Sequence, residues 1–95
     1  MNSCFIVGHI DEMPVNDTSS VNTRCLMKVS CNRSYAEADG TYVQDVFSVL
    51  LWRGVAEETC NCCNRGDPIA VKGRLIMENN NPLIVAEQVS LPAGF

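Results

Sequence analysis

Residues 42–75 constrain the fold most strongly, because a strand pattern, a helix pattern and a second strand pattern follow one another without a linker. Residues 42–52 alternate, so that one face carries Phe47, Val49 and Leu51 and the other carries Gln44, Val46, Ser48, Leu50 and Trp52. The first is a core face. The second face is mixed, and it presents the single tryptophan of the chain where a solvated surface would favour polar groups.

The remaining patterns predict one helix and four further strands. Residues 54–64 have helical spacing, and Gly66 is placed as a C-terminal stop. Strand patterns cover residues 3–10, 23–31, 69–75 and 83–91. Gly8 suggests a bulge or bend. We expect a break at 11–14, a loop at 16–22, and turns at 39–40 and 78–82.

The order of these elements indicates the fold class. Three strands, a helix and two strands is the order of the all-β, five-stranded Greek-key barrel called the OB-fold, with one short α-helix between strands three and four. Closure into a barrel also removes the exposed strand edges that so small a sheet would have. We therefore predict a single OB-fold domain over residues 1–95, with 91–95 as a short end without an acidic tail.

Composition excludes several other classes of protein. No apolar run approaches the ~20 residues of a membrane span, and no secretory signal is visible. The six cysteines fit reduced, mostly buried thiols in a cytoplasm better than a disulfide framework. Cys60-x-Cys62-Cys63 lacks the partners of a zinc site, and His9 is the single histidine. No nucleophile has a paired base, so we expect no enzyme activity, metal or cofactor.

The charge distribution is more informative than the net charge of −4. Residues 21–35 contain Arg24, Lys28 and Arg33 and no acidic residue, whereas the flanking segments are acidic. From charge alone, this basic segment is either a solvated face or a local site for an anionic partner.

Three motifs occur in order along the chain. They are NSCFIVGHI at residues 2–10 with Pro14, VFSVLLW at 46–52 followed by Ala56-Glu57, and RGDPIAVKGRL at 65–75. In order and spacing, residues 2–91 resemble the bacterial single-stranded DNA-binding protein family. The resemblance implies non-sequence-specific binding of single-stranded DNA during replication, recombination or repair, through bases stacked on aromatic rings and phosphates held by cations.

The resemblance also implies roles for individual residues. Trp52 falls at a stacking position, Tyr35 lies near another, and Lys28 falls at a position that faces nucleic acid. Beside these, we predict phosphate contacts for Arg33 and Arg74, and a further aromatic contact for Tyr42. The alternatives are a tryptophan that covers a barrel end, ordinary tyrosines and solvated arginines. Phe47 is expected in the core or a subunit contact, outside the groove.

The family resemblance further implies a homodimer or homotetramer, replication proteins as partners, and a nucleoid-associated cytoplasmic location. Two departures suggest weaker binding: Val46 replaces a tryptophan, and the connection after Gly73 is short and asparagine-rich. These departures and the net charge of −4 leave an alternative function. It is an OB-fold module that binds proteins of a replication or primosome assembly and has weak or lost DNA binding.

Overall fold

The computed structural model describes residues 1–16 and 24–91, apart from the side chain of Tyr35. The predicted loop at 16–22, from residue 17 onward, and the C-terminal residues 92–95 lie outside the described residues. The strands are β1 (Cys4–Asn16), β2 (Cys25–Ala36), β3 (Tyr42–Leu51), β4 (Pro68–Glu78) and β5 (Asn81–Ser90). One helix, α1 (Arg53–Cys62), lies between β3 and β4. The predicted element order is confirmed.

The strands close into a barrel in the order β1-β2-β3-β5-β4. Every neighbouring pair is antiparallel except β3 and β5, which run parallel. This closed barrel of five strands with one helix after the third is the predicted OB-fold. The core is formed by alternate residues of all five strands, with contributions from α1, and includes Ile10, Met27, Val29, Val49, Leu51, Val71 and Ile84.

Strand β1 is longer than predicted. The prediction of a break at residues 11–14 is wrong, because β1 continues to Asn16. Its pairing with β2 shifts register twice between Ile10 and Val15. A bulge leaves a residue outside the regular ladder, which lets the strand bend and tolerates Pro14.

We expected a bulge or bend at Gly8, but no bulge is present there in the ladder with β4, whose register is regular. A Cβ atom at Gly8 would lie 2.1 Å from the carbonyl oxygen of Ser30 and 2.8 Å from the Sγ of Cys31. The sequence requires glycine here because the backbones of β1 and β2 approach each other too closely for any side chain.

The two long hairpins have the predicted turns. Asp39 accepts hydrogen bonds from the backbone N–H and the hydroxyl of Thr41, and these bonds hold the pKa of its carboxyl below the usual value. At the other hairpin, Asn79 and Asn80 have φ of 52° and 63°, which asparagine tolerates well, and Glu78 pairs with Asn81.

We expected Gly66 to terminate the helix, and this prediction is wrong. The C-cap is Cys63, in an extended conformation, and Gly66 occupies a separate turn with φ of 93°. Its N–H donates to the carbonyl of Ile10 at 2.8 Å, and the N–H of Ile10 donates to Asp67 at 2.9 Å. This left-handed glycine therefore joins the turn after α1 to β1.

The cysteines divide into three groups. Cys25 and Cys63 are buried, Cys4 and Cys31 are half-buried, and Cys60 and Cys62 are exposed. The expectation of mostly buried thiols thus holds only in part, because the helix turns Cys60 and Cys62 toward solvent.

Candidate nucleic-acid interface

An open groove lies where β3 and the β4–β5 hairpin separate. Strands β3 and β5 pair in parallel at Val49↔Ile84 and Leu50↔Val85, and they diverge toward their N-terminal ends. The resulting cavity measures about 570 Å³. On the sheet side it is lined by Leu26, Lys28, Asp45, Val46, Phe47 and Ser48, and on the hairpin side by Glu78, Asn79, Asn81, Pro82 and Leu83. We call this cavity the β3–hairpin groove.

A second, more apolar cavity, which we call the Trp52 pocket, lies beside Trp52. It measures about 370 Å³ and is lined by Arg24, Leu50, Leu51, Trp52, Ile76, Val85 and Ala86. Trp52 stands at the N-cap position of α1 with extended backbone, and its carbonyl accepts a hydrogen bond from Ala56 at 3.1 Å. The end of β3 and the start of the helix therefore fix the backbone at Trp52, whose side chain is 47% exposed.

A charged pair connects the two cavities. The guanidinium of Arg24 donates two hydrogen bonds to the carboxylate of Glu78, one of them at 3.1 Å. Arg24 lines the Trp52 pocket, and Glu78 lines the β3–hairpin groove. The two cavities are thus adjacent parts of one face, which we call the groove face.

Val46 and Lys28 lie on the sheet side of the groove. Val46 is 51% exposed and pairs with Ser30 on β2, while Lys28 pairs with Ser48 on β3. Because residues directly opposite in an antiparallel pair share a face, these four side chains form one continuous surface. The predicted outward orientation of Lys28 and Val46 is confirmed.

Two predictions for β3 are wrong. Leu50, which alternation places outward, is only 7% exposed because β5 pairs alongside it at Val85. Phe47 packs against the core as predicted, but it also lines the groove, from which we had excluded it. Both differences arise because β3 pairs with β5 only near its C-terminal end, which covers Leu50 and leaves Phe47 beside the open groove.

Three other predicted site residues, Arg33, Tyr42 and Arg74, are not among the residues that line either cavity. Tyr42, the first residue of β3, is 59% exposed. Arg74 is exposed and pairs with Val85, so it shares the hairpin face that forms a wall of the Trp52 pocket. Tyr35 lies in β2.

Arg33 is paired with Asp45 across the β2–β3 hairpin. Its Nε and Nη2 atoms donate to the two carboxylate oxygens, both at 3.0 Å. The hydrogen bonds and the positive charge of Arg33 hold the pKa of Asp45 below its usual value, so this carboxylate is ionised at neutral pH. Lys28 also has a carboxylate neighbour, since its Nζ lies 3.8 Å from an oxygen of Glu12.

Sequence reasoning missed the contribution of the β4–β5 hairpin to this face. We predicted a short connection after Gly73, whereas β4 continues to Glu78. The available signal was the Asn79-Asn80 turn, which places Glu78 and Asn81 opposite each other. Extending both strands to that turn would have indicated the position of Glu78, Asn81 and Pro82.

Two further observations concern membranes and metals. Among residues 1–16 and 24–91, no helix is both long and apolar enough to cross a membrane. Within the same part of the chain, no three His, Cys, Asp or Glu side chains form a group that would hold a metal ion.

The barrel order, the helix after β3 and the groove beside β3 define an OB-fold protein with an open outer face. Residues 1–88 match the model of the Single-strand binding protein family, and the chain belongs to this family. A curated relative, single-stranded DNA-binding protein B of Bacillus subtilis, is 31% identical over 75 residues. The match covers 78% of this chain and 66% of the relative's length.

Solved structures support the same fold. A small single-stranded DNA-binding protein from Streptomyces coelicolor superposes with a TM-score of 0.70 at 18% identity, covering 94% of this chain and 90% of that one. The SSB domain of a Synechococcus sp. protein gives a TM-score of 0.63 at 20% identity, covering 94% and 93% of the two chains.

Proposed function

We propose that this protein binds single-stranded DNA without sequence preference and without catalysing a reaction, during DNA replication, recombination or repair in the cytoplasm. The observation that carries the proposal is the continuity of the groove face in a member of the Single-strand binding protein family. An open groove with a half-exposed lysine runs into an apolar pocket beside a half-exposed tryptophan. An aromatic platform beside a cation-bearing groove is the arrangement that binds single strands.

The proposed roles follow from the position of each residue in the fold and in the family pattern. Trp52 stacks one base over the apolar pocket, which contributes on the order of 1–3 kcal/mol. Lys28 contacts a phosphate in the groove, and Arg74 contacts another along the hairpin. Arg33, Tyr35 and Tyr42 extend the path along the outer part of the β2–β3 hairpin.

Intrinsic fluorescence tests this proposal directly, because Trp52 is the single tryptophan. Adding oligo-dT of about 16 nucleotides at about 50 mM salt should quench the emission of Trp52 in a saturable way. Added salt should reverse the quenching, and duplex DNA of the same length should compete poorly. Absence of both quenching and gel retardation at low salt would refute the proposed function.

We also propose that the protein forms a homodimer or homotetramer through the outer face of β1 and β4. Phe5 and Val7 are 66% and 63% exposed, and they stand opposite Lys72 and Ala70 on β4. Two adjacent large apolar side chains on one sheet favour burial against a second copy. Sedimentation at tens of micromolar should give an oligomer, which Phe5→Asp should dissociate. A monomeric parent protein would contradict this proposal.

A further inference from the structure

Two cations of the groove face, and a third on the β2–β3 hairpin whose partner lines the groove, each have a carboxylate partner from another part of the chain. Arg24 is paired with Glu78, Lys28 with Glu12, and Arg33 with Asp45. The two arginine pairs each have two hydrogen bonds. The basic segment that the sequence presents is therefore neutralised in the folded protein by three acidic residues from β1, β3 and β4.

Two of these carboxylates line the groove, and the third lies beside a lysine that lines it. Asp45 and Glu78 both line the β3–hairpin groove, together with Lys28. Glu12 stands directly opposite Lys28 in the β1–β2 ladder, and its side chain is 62% exposed. The three ion pairs can open, because the side chains of the cations are between 24% and 45% exposed to solvent.

We propose that Glu12, Asp45 and Glu78 compete with DNA phosphates for Lys28, Arg33 and Arg24, and thereby determine the affinity and the salt response of the groove face. This inference rests on the proposed function, since it concerns the same surface. A phosphate that approaches the Nε–Nη2 edge of Arg33 must displace a carboxylate that already accepts both hydrogen bonds from that edge. The displaced carboxylate then remains beside the strand as a like charge, which opposes binding a second time.

The salt dependence follows from the same competition. A solvated cation releases counterions when a phosphate binds it, so log K falls with log salt by about 0.7 for each contact with a single strand. A cation that is paired with its own carboxylate has few counterions to release. Moreover, the displaced carboxylate takes up a cation from solution. The parent protein should therefore bind single-stranded DNA weakly. Its log K should also fall less steeply with log salt than the number of basic residues on this face would predict.

The test compares neutralising substitutions on and off the groove face. Asp45→Asn, Glu78→Gln and Glu12→Gln each remove one competing carboxylate. Glu58→Gln, at an exposed position of α1 outside both cavities, makes the same change in net charge and is the matched control. Affinity for fluorescein-labelled oligo-dT is measured by anisotropy over a salt series, and each variant's Tm is recorded.

Each groove-face variant should bind about threefold to tenfold more tightly than Glu58→Gln at low salt. Its slope of log K against log salt should be steeper by about 0.7. In an Arg33→Ala background, Asp45→Asn should no longer steepen the salt slope relative to Glu58→Gln, because the cation that it would release is gone, and only the smaller gain from removing a like charge beside the strand should remain. This dependence on Arg33 would not be seen if Asp45 only braced the hairpin.

The outcomes separate this inference from the proposed function. If the parent protein binds oligo-dT, and folded groove-face variants bind no more tightly than Glu58→Gln, the competition is refuted and the DNA-binding function stands. If neither the parent nor any variant binds, both are refuted. If a variant lowers the Tm yet binds more tightly with the steeper slope, the competition is supported and the pair also stabilises the fold.

Discussion

Restoring an aromatic ring at Val46 should strengthen DNA binding. Val46 is 51% exposed on the sheet side of the groove, so Val46→Trp places the indole toward the groove, not into the core. Ser30 stands opposite on β2 and leaves room for a large ring above it. The sheet covers one face of that ring, which leaves the other face to stack a single base.

The size of the effect follows from that geometry. One stacked base contributes on the order of 1–3 kcal/mol, equivalent to about 5- to 150-fold in affinity. We expect a gain near the lower end, about tenfold, because the carboxylates of Asp45 and Glu78 line the same groove and oppose the strand. Stability should change little, since the substituted position is half exposed.

The assay is fluorescence anisotropy of labelled oligo-dT, with the Tm of each protein as a check on folding. Val46→Leu is the matched control, because it enlarges the apolar side chain without supplying a ring. If folded Val46→Trp binds no more tightly than Val46→Leu, then Val46 does not lie on the path of the DNA, and the placement of the strand in this groove is wrong.

Three further predictions concern the pocket, the barrel and the thiols. Trp52→Ala should weaken oligo-dT binding by at least about fivefold, while the Tm stays close to that of the parent, because Trp52 is half exposed and makes no side-chain cap bond. Unchanged affinity would remove Trp52 from the site. Gly73→Ala should lower the free energy of unfolding in urea by about 1–3 kcal/mol, since its Cβ would lie 2.1 Å from the carbonyl oxygen of Val85. Gly54→Ala, whose Cβ meets nothing nearer than 3.9 Å, should raise that free energy by about 0.5–1 kcal/mol, and equal effects would contradict the packing. Burial, with nearby Asp67, raises the pKa of the Cys63 thiol, so at mildly alkaline pH less of it is thiolate than for an ordinary cysteine. Iodoacetamide followed by mass spectrometry should label exposed Cys60 and Cys62 first and Cys63 last, and early labelling of Cys63 would contradict its burial.

Local patterns in the sequence predicted most of the fold. Alternation identified the inward residues of β2 and β3, and Asp39-Gly40 and Asn79-Asn80 marked the two hairpin turns. Each of these signals depends on neighbouring residues only. Where the chain departs from a regular ladder, the same reasoning failed, since the bulges of β1 keep residues 11–14 in the strand.

Most of the groove face could not be predicted in this way. Its width depends on where β3 and β5 separate, and Leu50 is buried because of that contact and not because of its own strand pattern. Arg24 and Glu78 are separated by 54 positions in the sequence, so their pairing requires the closed barrel. Sequence reasoning therefore recognised the basic segment but not the carboxylates that neutralise it.

The central claim, that the groove face binds single-stranded DNA, is tested most directly by NMR titration of the labelled protein with oligo-dT. We predict that shift changes concentrate at the indole N–H of Trp52 and at the backbone amides of Lys28, Val46 and Asn81. Phe5 and Lys72, which pair on the outer face of β1 and β4, should change little. Changes centred on Phe5 and Lys72, or no changes at a saturating concentration of DNA, would contradict this account.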